Sequence, residues 1–421
     1  MTDPQGDGEL LSRSEIKHNM KCCVMLDTIF AFGWTEIMVA MVPLLTFLNA
    51  TNTQIGLVTG ATIASIPGLI VSPWITRYFR IKKWYLFATN IPYFLPVGLC
   101  GLGVLMYENL GFGNSYMVQA ILVLMLISQF FAGFVGLPHQ EYIAACIPMS
   151  HRGRFSGFSI SAGGLIAIVS SALGAWVLTA FAKPMSFGYL LLLGWFVCQA
   201  GYTVCLLARE VPTKAEKSPP PWGKVMLLSL WQDKPFLRVM LISFLFYGLI
   251  FQVGTFVNVY AFKVLGMPAA AAAFLAMAAN ASRVGLLWLI GILVDKHTPK
   301  RMLPYFFVLS ALALLPVILF GAPWSVYFFA FFSTLALSGA QSALNPIIFG
   351  MPTPENRPGH YTVSNLVTNI AFSIGPVALG LLCDATTFRA VFIGLAIFAL
   401  LLCPFSKWML ATLSNDAKDY S

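Results

Sequence analysis

Midway along the chain the sequence reads Glu210-Val211-Pro212-Thr213-Lys214-Ala215-Glu216-Lys217-Ser218-Pro219-Pro220-Pro221. The stretch is polar, charged and stiffened by proline, which marks a linker rather than an element of a core. The residues from Trp222 to Trp231 follow, with tryptophan at both ends and Lys224 among leucines. That pattern predicts an amphipathic segment lying along a membrane surface. Every other connection is short. On both sides of the linker the chain breaks into apolar runs of the ~20 residues that cross a bilayer as a helix. Six precede it, near 21–48, 54–76, 84–106, 116–146, 155–182 and 187–208. Six follow, near 236–262, 268–294, 302–320, 325–349, 361–383 and 389–410. The expected protein is all-α and integral to the membrane, with twelve transmembrane helices in two pseudo-symmetric six-helix bundles. Residues 1–208 and 236–421 form the bundles, and 209–235 form a cytoplasmic linker with its interfacial segment.

Composition leads to the same class. Of 421 residues 58% are apolar and only 10% are charged, and the mean hydropathy is +0.80. A soluble protein carries about 25% charged residues, so this chain cannot cover a water-facing surface. Its net charge of +9 does not indicate nucleic-acid binding, because the basic residues are scattered through short loops. The eight cysteines lie mostly inside apolar runs, without a CxxC pair or histidine spacing, and read as small core residues. The polar first 20 residues and the long apolar run after them do not resemble a cleaved signal peptide. The first span is therefore expected to stay in place as a helix.

Lysine and arginine set the orientation. With the N-terminus inside, only Lys183, Lys263 and Arg389 fall on the outer side, and Arg283 lies inside a span; all the other basic residues are cytoplasmic. A false span would invert every later loop and destroy this asymmetry. Both termini are expected in the cytoplasm, and the short loops point to a bacterial inner (plasma) membrane.

The two halves carry a weak internal repeat. Ile147-Pro148-Met149-Ser150-His151-Arg152-Gly153-Arg154-Phe155 is matched about 205 positions later by Met351-Pro352-Thr353-Pro354-Glu355-Asn356-Arg357-Pro358-Gly359-His360-Tyr361. Each is proline, a polar turn, arginine, then an aromatic residue opening a Gly/Ser-rich span; Gly174 and Gly380 stand at nearly equal offsets. Such duplication is characteristic of transporters. Between spans eight and nine lies Gly291-Ile292-Leu293-Val294-Asp295-Lys296-His297-Thr298-Pro299-Lys300-Arg301. With it the chain resembles the major facilitator superfamily of secondary transporters, whose loop motif has a glycine, an Asp-Arg/Lys pair and two further basic residues. The family carries the motif most strongly between spans two and three. There this chain keeps Arg77, Arg80, Lys82 and Lys83 but has Thr76 at the aspartate position. The resemblance implies a cytoplasmic gate drawn from Gly291, Asp295, Lys296, Lys300, Arg301, Arg77, Arg152 and Arg154. Physically, Asp295 can pair with bases or cap a neighbouring helix in one state only; the alternative is a cluster of positive-inside charges at a turn.

Ionisable groups at bilayer depth cost about 2.5–3.5 kcal/mol each, so each needs a partner, water or a proton. Asp27 and Glu36 lie in the first span, Glu141 two turns from the inner end of the fourth, and Arg283 near the middle of the eighth. Asp27 and Glu36 are about half a helical turn out of phase, so one is expected to serve a cavity and the other a helix contact. Glu36 is the first choice for the cavity and for proton coupling, with Asp27 and Glu141 behind it. Arg283 either binds an anionic substrate group or neutralises Glu36. His139 and Glu141 form a possible relay, with solvation at the cytoplasmic mouth as the plainer reading.

The second half adds Gln252, Asn258, Asn280, Gln341, Asn345, Asn365 and Asn369 at depth. Amides bind a solute as donor and acceptor without the cost of charge, although each also suits helix–helix bonding. With Arg283 they are the expected substrate-binding set. There is no GxxxxGK[ST], which argues against ATP-driven transport, and no residue cluster suited to a membrane enzyme. The expectation is a secondary active transporter of a small organic solute, working by alternating access with protons as its partner ion. It needs no metal or cofactor and works as a monomer. The alternatives are a polyspecific exporter of drugs or amphiphiles with the same fold and a non-transporting membrane sensor.

Overall fold

The computed structural model describes residues 11–111, 113–212, 233–351 and 357–411. Most of the 209–235 linker, including the stretch from Trp222 to Trp231, lies outside them. Twelve helices are long and apolar enough to cross a membrane, and we number them α1–α12. The first six are Arg13–Phe47, Asn52–Thr76, Lys82–Leu105, Asn114–Cys146, Arg154–Ala180 and Met185–Leu207. The second six are Lys234–Lys263, Ala271–Val294, Pro299–Phe320, Pro323–Ile348, Thr362–Ala385 and Phe388–Ala411. Among the described residues every regular element is helical, the form that satisfies each backbone N–H and C=O within one segment in lipid.

Four of these helices are interrupted. α2 passes through a 3-10 turn at Ala61–Ser65, and α6 ends in another at Val204–Leu207. α4 breaks between Ala132 and Gly136, where the apolar pattern had predicted one run. α7 contains a π-turn at Phe246–Ile250, a distortion that concentrates at functional sites. The sharpest connections use positive φ: Asn49 (57°) between α1 and α2, and Thr298 (67°) between α8 and α9.

The described residues group into two compact units. The first draws on Met1–Ala40, Ala64–Gly113 and Gln119–Pro220. Its helices approach through small residues, as membrane helices do when lipid removes the hydrophobic incentive to pack. A Cβ on Gly33 of α1 would stand 2.7 Å from the Gly194 carbonyl of α6. Phe30 fills the space beside them, edge-on to Phe94 and Tyr202 at 6.0 and 5.9 Å. All eight cysteines are free thiols and all but Cys403 are buried.

The second unit draws on Met41–Ile63, Asn114–Val118 and Pro221–Ser421. Fully buried Phe236, Phe246, Phe256, Phe307 and Phe392 build its core. The end of α1 and the first half of α2 belong here, packed with α11, although they come from the first half of the chain. In α7 the π-turn lies directly on α11: a Cβ on Gly375 would come within 1.7 Å of the Gly248 carbonyl.

Candidate functional site

In the first unit both acids of α1 turn to one helix, α5. Ser159 donates to Asp27, and Ser170, eleven positions on, donates to Glu36 at 2.8 Å. The nine-residue spacing that separates the acids on α1 is thus answered by two serines on the same neighbour. Glu36 is fully buried. A Cβ at Gly174 would stand 2.9 Å from its Oε2, so that glycine makes room for the carboxyl. At Gly380, which stands at nearly the same offset in the second half of the chain, a Cβ would come closer still, 2.5 Å from the Asn52 carbonyl oxygen of α2.

One acid is expected to serve a cavity and the other a helix contact, yet Glu36 and Asp27 both make a helix contact, to Ser170 and Ser159. Asp27 keeps 28% of its side chain exposed. It faces His139, whose Nε2 is 3.8 Å from Oδ1. The break in α4 brings this about, because it restarts the helix at Gly136 and sets His139 in the first turn. His139 packs edge-on to Tyr202 at 6.1 Å, and its Nδ1 is buried without a hydrogen bond. Among the described residues neither Asp27 nor Glu36 forms an ion pair with lysine or arginine.

The hydrogen bonds around Glu36 carry chemical information. Ser170 Oγ is 2.8 Å from Glu36 Oε1 and 2.9 Å from the Phe32 carbonyl oxygen, yet a hydroxyl has one hydrogen to donate. With Glu36 ionised, Ser170 leaves one of the two acceptors unserved, and Oε2 is already buried without a partner. With Glu36 protonated, the acid donates to Ser170 and Ser170 donates to Phe32. The chain from Oε1 through Ser170 to Phe32 is then complete, and Oε2 is left as a neutral carbonyl oxygen rather than an unpaired buried charge.

Glu141 is not joined to His139. It pairs with Lys82 at 3.2 Å, and Lys82 Nζ also donates to the Thr76 carbonyl at 2.6 Å. Around this pair the basic ends of α1, α3, α4 and α6 are tied together. Glu210, read from sequence as the start of the linker, accepts the backbone N–H groups of Lys82 and Lys83 at 2.5 and 2.9 Å. Lys83 Nζ donates to the carbonyls of Leu206 and Ala208. Asn19 donates to those of Cys146 and Arg209.

The residues expected to form a gate lie each within its own unit. Arg77 stacks on Trp74 and Tyr78 and donates to the Tyr78 hydroxyl at 2.8 Å. Arg152 binds the Ile147 and Ala144 carbonyls of its own segment, and Arg154 is exposed. Gly291 and Asp295 lie on the helix Ala271–His297, with Lys296 and Arg301 exposed near the turn that leads to Lys300. The Asp295 side chain lies outside the described residues.

In the second unit two of the seven amides, Gln252 and Gln341, lie at Tyr247 of the π-turn. Gln341 of α10 lies beside the Tyr247 hydroxyl, while Gln252 Nε2 donates to the Tyr247 carbonyl at 3.1 Å. Tyr247 and Phe251 pack on Phe372 of α11 at 5.3 and 5.1 Å. These aromatic groups went unnoticed in the sequence, where 35 phenylalanines obscure any particular one. Asn280 and Asn369 donate to their own helices, to Ala276 and Asn365. Asn258 is half-buried, whereas Arg283, Asn345 and Asn365 are exposed. Among the described residues no group of three or more His, Cys, Asp or Glu could hold a metal ion.

The model of the Major Facilitator Superfamily matches residues 25–334 and 284–419. No curated protein matches the chain in sequence. Among solved structures, a mutant of the nucleoside transporter NupG is similar over 94% of this chain and 99% of its own, with TM-score 0.73 and 14% identity. A D-xylose-proton symporter is similar over 93% and 97%, with TM-score 0.71 and 14% identity. A POT family transporter in complex with 5-aminolevulinic acid is similar over 93% and 96%, with TM-score 0.72 and 12% identity. At these identities the structures share a fold with the chain, and the family match carries the assignment. The chain belongs to the major facilitator superfamily, a family of integral membrane transporters rather than enzymes.

Proposed function

We propose that the protein is a proton-coupled secondary transporter that moves a small polar solute by alternating access. It works in a bacterial inner membrane with its basic ends and both termini cytoplasmic. The observation that carries this reading is Glu36: buried, without a cationic partner among the described residues, and joined to Ser170 and the Phe32 carbonyl in a hydrogen-bond chain that one proton completes. A carboxyl that is protonated when enclosed and ionised when water reaches it delivers one proton per cycle, since desolvation and hydration move its pKa in opposite directions. Asp27, partly open and beside His139, is the second proton-carrying group of this reading, on the cytoplasmic side of Glu36. Glu141 is held by Lys82 and serves the packing of the basic ends.

For the solute, the phenol and amides at the π-turn of α7 favour a polar, hydrogen-bonding compound. The substrates named for the similar structures, nucleosides, D-xylose and 5-aminolevulinic acid, are of that kind. The test is uptake of uridine, D-xylose and 5-aminolevulinic acid into proteoliposomes with and without an imposed pH gradient. Accumulation that requires the gradient and collapses with a protonophore is the expected result. Equal uptake under both conditions refutes proton coupling.

A further inference from the structure

At the far ends of the helices, opposite the basic loops, α2 and α11 touch backbone to backbone. A Cβ on Gly56 would stand 2.3 Å from the Pro376 carbonyl oxygen, one on Gly60 2.6 Å from that of Ser373, and one on Gly380 2.5 Å from that of Asn52. Thr62 and Ser373 share a hydrogen bond of 2.9 Å at the inner limit of this seam. Glycines along the seam leave no side chains to interlock. Two such surfaces close tightly and part without unthreading.

The polar hold is concentrated at one end. Asp384, in the last turn of α11, accepts the N–H groups of Asn52 and Thr53 at 3.1 and 2.8 Å and the Thr53 hydroxyl at 2.6 Å. These are charge-assisted bonds to the first turn of a helix, where the dipole favours an anion. Lys263, the last residue of α7, completes the clasp by donating to the Ala50 carbonyl at 2.5 Å and to Asn52 Oδ1 at 3.1 Å. The segment so held comes from the first half of the chain, and both holders come from the second.

We propose that Asp384, supported by Lys263, is the latch of the outer gate: its bonds to Asn52 and Thr53 hold α2 against α11 and must break for the site to open outward. The inference rests on the alternating-access reading above. It adds the residue whose bonds set the balance between the closed and the outward-open states. Opening would replace the carboxylate's bonds to the two N–H groups and the hydroxyl with bonds to water, so the latch holds without making release prohibitive.

The test uses Ser373→Cys in the full chain, placing a thiol in the closed seam, where Ser373 is 3% exposed. Modification is followed with a membrane-impermeant methanethiosulfonate added from outside, against the baseline of the parent's own thiols. Removing the charge with Asp384→Asn should raise the labelling rate roughly tenfold, as loss of a charge-assisted set of hydrogen bonds implies. Lys263→Gln should raise it less. A second thiol at Ser243→Cys, buried in α7 away from the seam, reports general loosening. An unchanged rate at residue 373 overturns the latch, and so does an equal rise at residue 243. The transport reading is judged separately by solute flux: faster labelling in Asp384→Asn without uptake of any solute by the parent would leave the latch standing and remove the transporter.

Discussion

Glu36 and Gly174 form a unit that neither residue discloses alone. The carboxyl fits because position 174 has no side chain: a Cβ there would stand 2.9 Å from Oε2. Glu36→Gln imitates the protonated acid, donating to Ser170 as the acid does. We therefore expect it to fold and exchange solute across the membrane but to lose accumulation driven by a pH gradient, as measured by counterflow and by gradient-driven uptake in proteoliposomes. Gly174→Val should instead fail in both assays, because its branched side chain would have to displace the carboxyl. Sequence alone supplied the acids, since ionisable residues stand out within apolar spans. It did not supply the serines, which are common in membrane helices and acquire meaning only through the neighbour they face. That Asp27 and Glu36 both meet α5 was illegible for the same reason: helical phase says that two side chains diverge, not what each of them meets.

Among the elements, the interrupted helices matter most. Apolar patterning located all twelve spans, because each is set by bilayer thickness and by the need to satisfy its own backbone. It could not locate the break in α4 or the π-turn in α7, which depend on what packs against them. At the π-turn, Gly375 allows α11 to reach the Gly248 carbonyl. Gly375→Ala should lower stability by about 1–3 kcal/mol, the usual cost of overpacking, whereas Gly254→Ala in α7, with nothing within 4 Å of its Cβ, should be nearly neutral. Thermal unfolding in detergent distinguishes the two. Tyr247→Phe removes the hydroxyl that lies beside Gln341, and should cost no more than about 0.6 kcal/mol, typical of side-chain bonds between membrane helices. If the solute binds there, its affinity should fall by more than that stability change. At the basic end, Glu210→Ala leaves the first N–H groups of α3 uncapped and should cost about 0.5–2 kcal/mol, in the range of lost helix caps.

On the scale of the whole molecule, the positive-inside pattern predicts where each loop lies. Reporter fusions after Lys83, Arg154, Lys217 and Arg301 should read cytoplasmic, and those near Asn52, Lys183 and Lys263 external. Opposite readings at two adjacent loops would delete a span and with it the six-plus-six arrangement. The family was legible from span number, linker and loop motif, because these reflect the bilayer and the duplication. The solute was not, since amides and aromatic rings serve helix packing and ligand binding with the same chemistry. The account as a whole turns on one proton, and that proton can be observed without knowing the solute. Infrared difference spectra of the reconstituted protein between acid and alkaline pH, recorded for the parent and for Glu36→Gln, test it most directly. The account predicts a protonated-carboxyl band from a buried acid that is present in the parent and missing in the variant. Identical spectra for the two proteins would mean that Glu36 carries no titrating proton, and would contradict it.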